Sequence, residues 1–108
     1  MIMRITWGKI RPGMWDKFEK LWNDFAAETE DTEGLLGRWL ARDNDQQDAG
    51  YSLTLWSSAE ALKAYEAERP IYEKMKECFV GQFVTTNCDV NGMHLKGLRS
   101  IIDQTSKS

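Results

Sequence analysis

Residues 51–66, YSLTLWSSAEALKAYE, change periodicity at Ser57. Up to Trp56 the residues alternate, with Ser52, Thr54 and Trp56 on one side and Tyr51, Leu53 and Leu55 on the other, as a strand requires. Beyond Trp56 the apolar positions Ala61, Leu62 and Tyr65 recur at helical spacing. Ser57, followed three residues later by Glu60, has the form of a capping box that starts this helix. A strand here leads directly into a helix, and the flanking sequence supplies the remaining elements.

Upstream, residues 43–50 (DNDQQDAG) are a polar loop with strong turn chemistry. Before the loop, Leu35 to Arg42 alternate Arg38, Leu40 and Arg42 against Gly37, Trp39 and Ala41. So short a connection predicts an antiparallel hairpin. Further back, Met14, Trp15, Phe18, Leu21, Trp22 and Phe25 form one broad apolar stripe opposite Asp16, Lys17, Glu19, Lys20, Asn23 and Asp24. This helix is expected to fade through Glu28 to Glu33 and to stop at Gly34. Residues 2–10 form a first strand, with Met3, Ile5 and Trp7 facing one way and Arg4, Thr6 and Gly8 the other, and Arg11-Pro12-Gly13 ends it.

Downstream, Pro70 interrupts the second helix, which resumes through Ile71, Tyr72, Met75 and Phe79 and ends at Gly81. Residues 82–90 alternate again as a fourth strand, closed by the turn Asn91-Gly92. The tail, residues 93–108, carries Leu95, Leu98, Ile101 and Ile102 and is expected to dock in part as a short helix.

The order β-α-β-β-α-β specifies an α+β, ferredoxin-like domain over residues 1–92, with a four-stranded antiparallel sheet. Right-handed crossovers place both helices on one face of it. The uniformly apolar side, Met3, Ile5, Trp7, Leu53 and Leu55, is the face expected under the helices. The other face would carry Thr6, Ser52, Thr54 and Trp56, a large aromatic among small polar groups, which reads as the lining of a pocket. A second copy of the chain would cover it, giving a homodimer with protected sheet edges.

Composition narrows the function. With 108 residues there is room for one core. A net charge of −3 argues against a nucleic-acid partner. No apolar run is long enough to span a membrane, and the N-terminus lacks a signal-peptide pattern, so a cytoplasmic location is the expectation. Cys78 and Cys88 are expected to be reduced and partly buried, and with the distant His94 they are too few for a metal site. His94 is the only residue with an ordinary pKa near neutrality, and it lies in the tail.

The run from Tyr51 to Glu66, with Trp56-Ser57, Ala61-Leu62 and Tyr65 at matching positions, resembles the strand-Trp-Ser-helix signature of antibiotic-biosynthesis-monooxygenase-like domains. Gly13 before the amphipathic helix and Gly34 before the second strand extend the resemblance over roughly residues 2–90. It implies a dimeric α/β barrel with a sheet-lined cavity in each subunit. It also implies a monooxygenase that oxidises a small aromatic or phenolic compound with molecular oxygen and no cofactor. On that reading Trp56 is a stacking wall, Thr6, Ser52 and Thr54 are polar liners, and Tyr65 or Tyr72 donates a hydrogen bond to a ketone or phenolate oxygen. Arg4, Arg38 and Arg42 would bind a phenolate or carboxylate if they point inward, Arg38 being the substrate-binding candidate. The alternative is a non-catalytic small-molecule-binding dimer. The heme-degrading branch is disfavoured, because it needs an iron-ligating His on the second helix and an Asn where Thr6 stands.

Overall fold

The computed structural model describes residues 1–68, 73, 75–81 and 83–97. The elements are β1 (Ile2–Lys9), α1 (Trp15–Glu28), β2 (Leu35–Arg42), β3 (Ala49–Trp56), α2 (Ala59–Glu68), a 3-10 turn (Lys76–Cys78) and β4 (Val84–Asp89). The strands form one sheet in the order β2-β3-β1-β4, with every neighbouring pair antiparallel. The ferredoxin-like order read from the periodicities is therefore the observed one. Pro70, Tyr72 and the tail beyond Gly97 lie outside the described residues, and with them the break in the second helix and the docking of the tail.

Several element ends differ from the sequence reading: β3 starts at Ala49, inside the expected loop, β4 covers only Val84–Asp89, and both helices change at one end. Helix α1 stops at Glu28, where the Thr29 N–H and hydroxyl both donate to the Phe25 carbonyl (3.1 and 2.6 Å) and close the last turn early. Gly34 instead opens β2 with φ of +80°, a conformation any L side chain resists; a Cβ there would also collide with Ala61. Helix α2 is capped by Ser58, not Ser57: its Oγ accepts the Ala61 N–H at 3.2 Å.

The larger correction concerns the faces of the sheet. The helices lie on the side of Thr6, Ser52, Thr54 and Trp56. The Trp22 indole N–H donates to the Ser52 Oγ at 2.9 Å, and the Trp56 ring packs on Tyr65 at 4.8 Å between centroids. The apolar set Met3, Ile5, Trp7 and Leu53 is left on the open face, joined by Trp39, Tyr51 and Val84, which are 49%, 39% and 59% exposed. The physical reason is volume. Helix α1 brings Trp15, Phe18, Trp22 and Phe25 into the layer, all buried, and such bulk fits only above small sheet residues. Gly50 shows how tight the fit is, since a Cβ there would meet the Trp15 ring at 2.7 Å and the Ala41 carbonyl oxygen. The core thus consists of these four aromatics with Ile10, Trp56, Leu62, Tyr65, Met75 and Cys78.

Leu55 points to the open face and is still buried, because Trp39 folds its ring back over Gly37, the residue paired with Leu55 across the ladder. Both cysteines are free, Cys78 buried and Cys88 exposed on the edge strand β4, so only the first matches the expected burial.

Candidate active site

Between the helices and the sheet lies a cavity of about 510 Å³, within the range of small-molecule sites. Strand β1 forms its floor. Because alternate residues share a face, Arg4, Thr6 and Gly8 line it in succession and Ile10 continues the row, so the floor runs from charged to apolar. Helix α1 supplies a wall of Trp15, Phe18 and Trp22, while Phe79 and Phe83 close the apolar end. These rings form a continuous array: Trp15 to Phe18 and Phe18 to Phe79 at 5.5 Å, and Phe79 to Phe83 at 5.4 Å. The spacings are those of edge and tilted aromatic pairs.

The polar end is a linked set. The Arg4 Nε donates to the Glu66 Oε2 at 3.2 Å, and the Arg4 Nη1 donates to the Thr6 Oγ1 at 3.0 Å. The Thr6 and Thr85 hydroxyls share a hydrogen bond of 3.0 Å between β1 and β4. Tyr65 also lines the cavity, and burial pushes its phenol above the ordinary tyrosine range, with Arg38 and then Arg4 pulling the other way. The group is therefore a protonated donor at neutral pH.

Of the residues singled out from sequence, Arg4, Thr6, Ser52 and Tyr65 meet in this cavity. Trp56 and Thr54 do not line it. Trp56 is fully buried, and its indole N–H donates to the Thr54 Oγ1 at 2.8 Å, so the two satisfy each other inside the core. Arg38 lies behind Tyr65 rather than in the lining, its guanidinium carbon 5.2 Å from the Phe25 centroid and 5.9 Å from that of Tyr65. Its Nη1 donates to the Thr29 hydroxyl; its Nε and Nη2 are buried with no hydrogen-bond partner among the described residues, and burial lowers its pKa. Arg42 stacks outside the cavity on the Trp15 ring at 4.9 Å. Tyr72 lies outside the described residues, and His94 is exposed after β4. Among the described residues no group of three or more His, Cys, Asp or Glu could hold a metal ion.

Glu66 and the aromatic wall were missed in the sequence. One signal for Glu66 was there: it stands four residues after Leu62, on the buried stripe of α2, where a charge is out of place. The wall had a signal too, in a helix stripe richer in large aromatics than ordinary packing needs.

The family model for antibiotic biosynthesis monooxygenases matches residues 1–77. The chain belongs to that family. Among solved structures, a Caulobacter crescentus CB15 protein superposes with a TM-score of 0.74 at 24% identity, covering 84% of this chain and 90% of that one. SnoaB from Streptomyces nogalater, described as a cofactor-independent oxygenase, superposes at 0.72 with 13% identity, covering 85% and 94%. MhuD, solved as a point mutant with two manganese protoporphyrin IX bound per active site, superposes at 0.72 with 21% identity, covering 90% and 100%. No curated protein matches the sequence. At these identities the likeness to the monooxygenases establishes the shared fold. Among the described residues of this family member, no helix is long and apolar enough to cross a membrane.

Proposed function

We propose that this chain is a cofactor-independent monooxygenase that oxidises a small aromatic or phenolic compound in the cavity between its helices and sheet. The observation that carries the reading is an aromatic-walled space of about 510 Å³ with hydrogen-bonding groups at one end. It is too large to be merely the gap left by packed side chains. Membership of the monooxygenase family supports the same reading.

The rings of Trp15, Phe18 and Phe79 would hold a flat ligand by stacking and exclude water. Tyr65, kept protonated by burial, would donate to a ketone oxygen and stabilise the negative charge that develops there when the substrate loses a proton. Tyr72 is the second candidate phenol, on sequence grounds alone. The resulting anion passes an electron to molecular oxygen. For a ring methylene the balance is CH2 + O2 → C=O + H2O, with no outside reductant.

Two copies would pair through the open face of Met3, Ile5, Trp7, Leu53 and Trp39, giving the dimeric barrel. Exposed apolar patches of this kind mark interaction surfaces.

The test is oxygen uptake by the purified chain, free of flavin and metal, with a panel of anthrones and hydroquinones. Turnover that falls at least tenfold in Tyr65→Phe is expected. No uptake with any member of a broad panel would remove the oxygenase reading and leave a non-catalytic binder; a Soret band on adding hemin would favour a heme protein instead.

A further inference from the structure

We infer that Arg4 and Glu66 together set the specificity of the cavity: they form a self-neutralised donor–acceptor pair that recognises two neighbouring oxygens on an aromatic ring, a diol or a hydroxyl beside a carbonyl, and turns away aromatic carboxylates. The inference rests on the cavity being a ligand site, not on turnover.

Among the described lining residues, Arg4 and Glu66 are the only charged ones, so this part of the lining is neutral as a whole. They are joined by one hydrogen bond, Nε to Oε2 at 3.2 Å, and are partly buried, with side chains 17% and 33% exposed. A second Arg4 donor, Nη1, is taken by Thr6. That hydroxyl in turn is engaged with Thr85, so the bond network on the β4 side is closed. The Arg4 Nη2 and the Glu66 Oε1 have no partner among the described residues. A guanidinium can only donate and an ionised carboxylate can only accept. The site thus offers one charged donor beside one charged acceptor. A ligand edge that places a hydroxyl hydrogen on one oxygen and a lone pair on the neighbouring oxygen satisfies both.

A carboxylate ligand would fare differently. It would gain the Arg4 contact but bring its charge against Glu66 in a partly water-excluded space, where like charges repel strongly. Glu66 therefore acts as a built-in counter-charge, and removing it should convert the cavity from a reader of neutral diols into a binder of anions.

The experiment is isothermal titration calorimetry of the full chain at pH 7 with three probes on one ring system: 2,3-dihydroxynaphthalene, 2-naphthol and 2-naphthoate. For the wild type, the diol is expected to bind at least tenfold tighter than either of the others. For Glu66→Gln, naphthoate affinity should rise at least tenfold above its wild-type value while diol affinity falls. Adding Arg4→Met to that variant should abolish the gain. Naphthoate binding as tightly as the diol to the wild type would overturn the inference without any variant, and so would an unchanged ranking in a folded Glu66→Gln. If none of the three binds, this inference fails, while the proposed function still stands or falls on oxygen uptake. If the ranking holds without oxygen uptake, only the oxygenase reading fails.

Discussion

Replacing Thr54 by Val removes one hydroxyl and little volume, and it tests where Trp56 lies. The Trp56 indole N–H donates to the Thr54 Oγ1 at 2.8 Å, Trp56 is fully buried and Thr54 is 5% exposed. In the variant the N–H keeps its burial and loses its acceptor. A buried donor left unsatisfied costs about 1–3 kcal/mol, and an expected loss near 2 kcal/mol lowers the urea midpoint by about 1 M at an m-value of about 2 kcal/mol/M. Unfolding followed by far-UV circular dichroism gives the midpoint, and an unchanged slope shows that the comparison is between like states. Because the penalty lies in the orphaned partner, the variant with both Thr54→Val and Trp56→Phe should lose less than the sum of the two single changes, with a coupling of about 1 kcal/mol. A Thr54→Val midpoint within about 0.2 M of wild type, equivalent to about 0.4 kcal/mol, would refute the reasoning: it would mean that water reaches the indole and that Trp56 faces the solvent side of the sheet.

Other expectations follow from the same geometry. Trp39→Glu puts a charge on the open sheet face at a residue already 49% exposed, so the fold should persist while the affinity of the proposed dimer falls at least 100-fold; light scattering should change from twice 12.5 kDa to a single copy. Alkaline pH should destabilise the chain. Burial raises the Cys78 thiol above its ordinary 9.0 and the Tyr65 phenol above its ordinary 10.0, so the folded state holds protons that the unfolded chain releases. This stability is complete below about pH 9 and is lost as pH rises through the folded values, so urea midpoints should fall from pH 9 upward, and less steeply in Tyr65→Phe. Arg38→Met exchanges a guanidinium whose two buried nitrogens have no partner among the described residues for an apolar chain of similar reach. The relief, about 1–3 kcal/mol for each of the two nitrogens, should offset the lost stacking on Phe25 and Tyr65, worth about 0.5–2 kcal/mol, together with the lost bond to the Thr29 hydroxyl, worth about 1.5–3 kcal/mol. A thermal midpoint equal to or above wild type is expected, along with a further rise in the Tyr65 titration seen in the ultraviolet.

The cavity explains why the site was harder to read than the fold. Thr6, Ser52, Tyr65 and Arg4 were legible as its lining, because small polar residues and an arginine on a strand face and a phenol on the adjoining helix are natural candidates. Trp56 looked like a wall because a large aromatic beside threonine and serine suggests an open surface; its indole instead spends its polarity on Thr54 inside the core. Glu66 reaches Arg4 across 62 positions of sequence, and no local pattern announces such a pair.

Alternation and helical spacing specified the order of the elements, most of their bounds and the two sets of residues on each strand, because those follow from backbone geometry within a few residues of each position. They did not specify which set faces the helices. A strand with period two is the same strand when turned over, and both sets here carry apolar residues. The choice came from packing: Trp15 of α1 fits over Gly50, Trp22 reaches Ser52, and Phe79 and Phe83 close over Gly8, whereas such rings would not fit over Met3, Ile5, Trp7 and Leu53. That long-range fit also created the cavity, and it left the oilier side of the sheet uncovered by the helices.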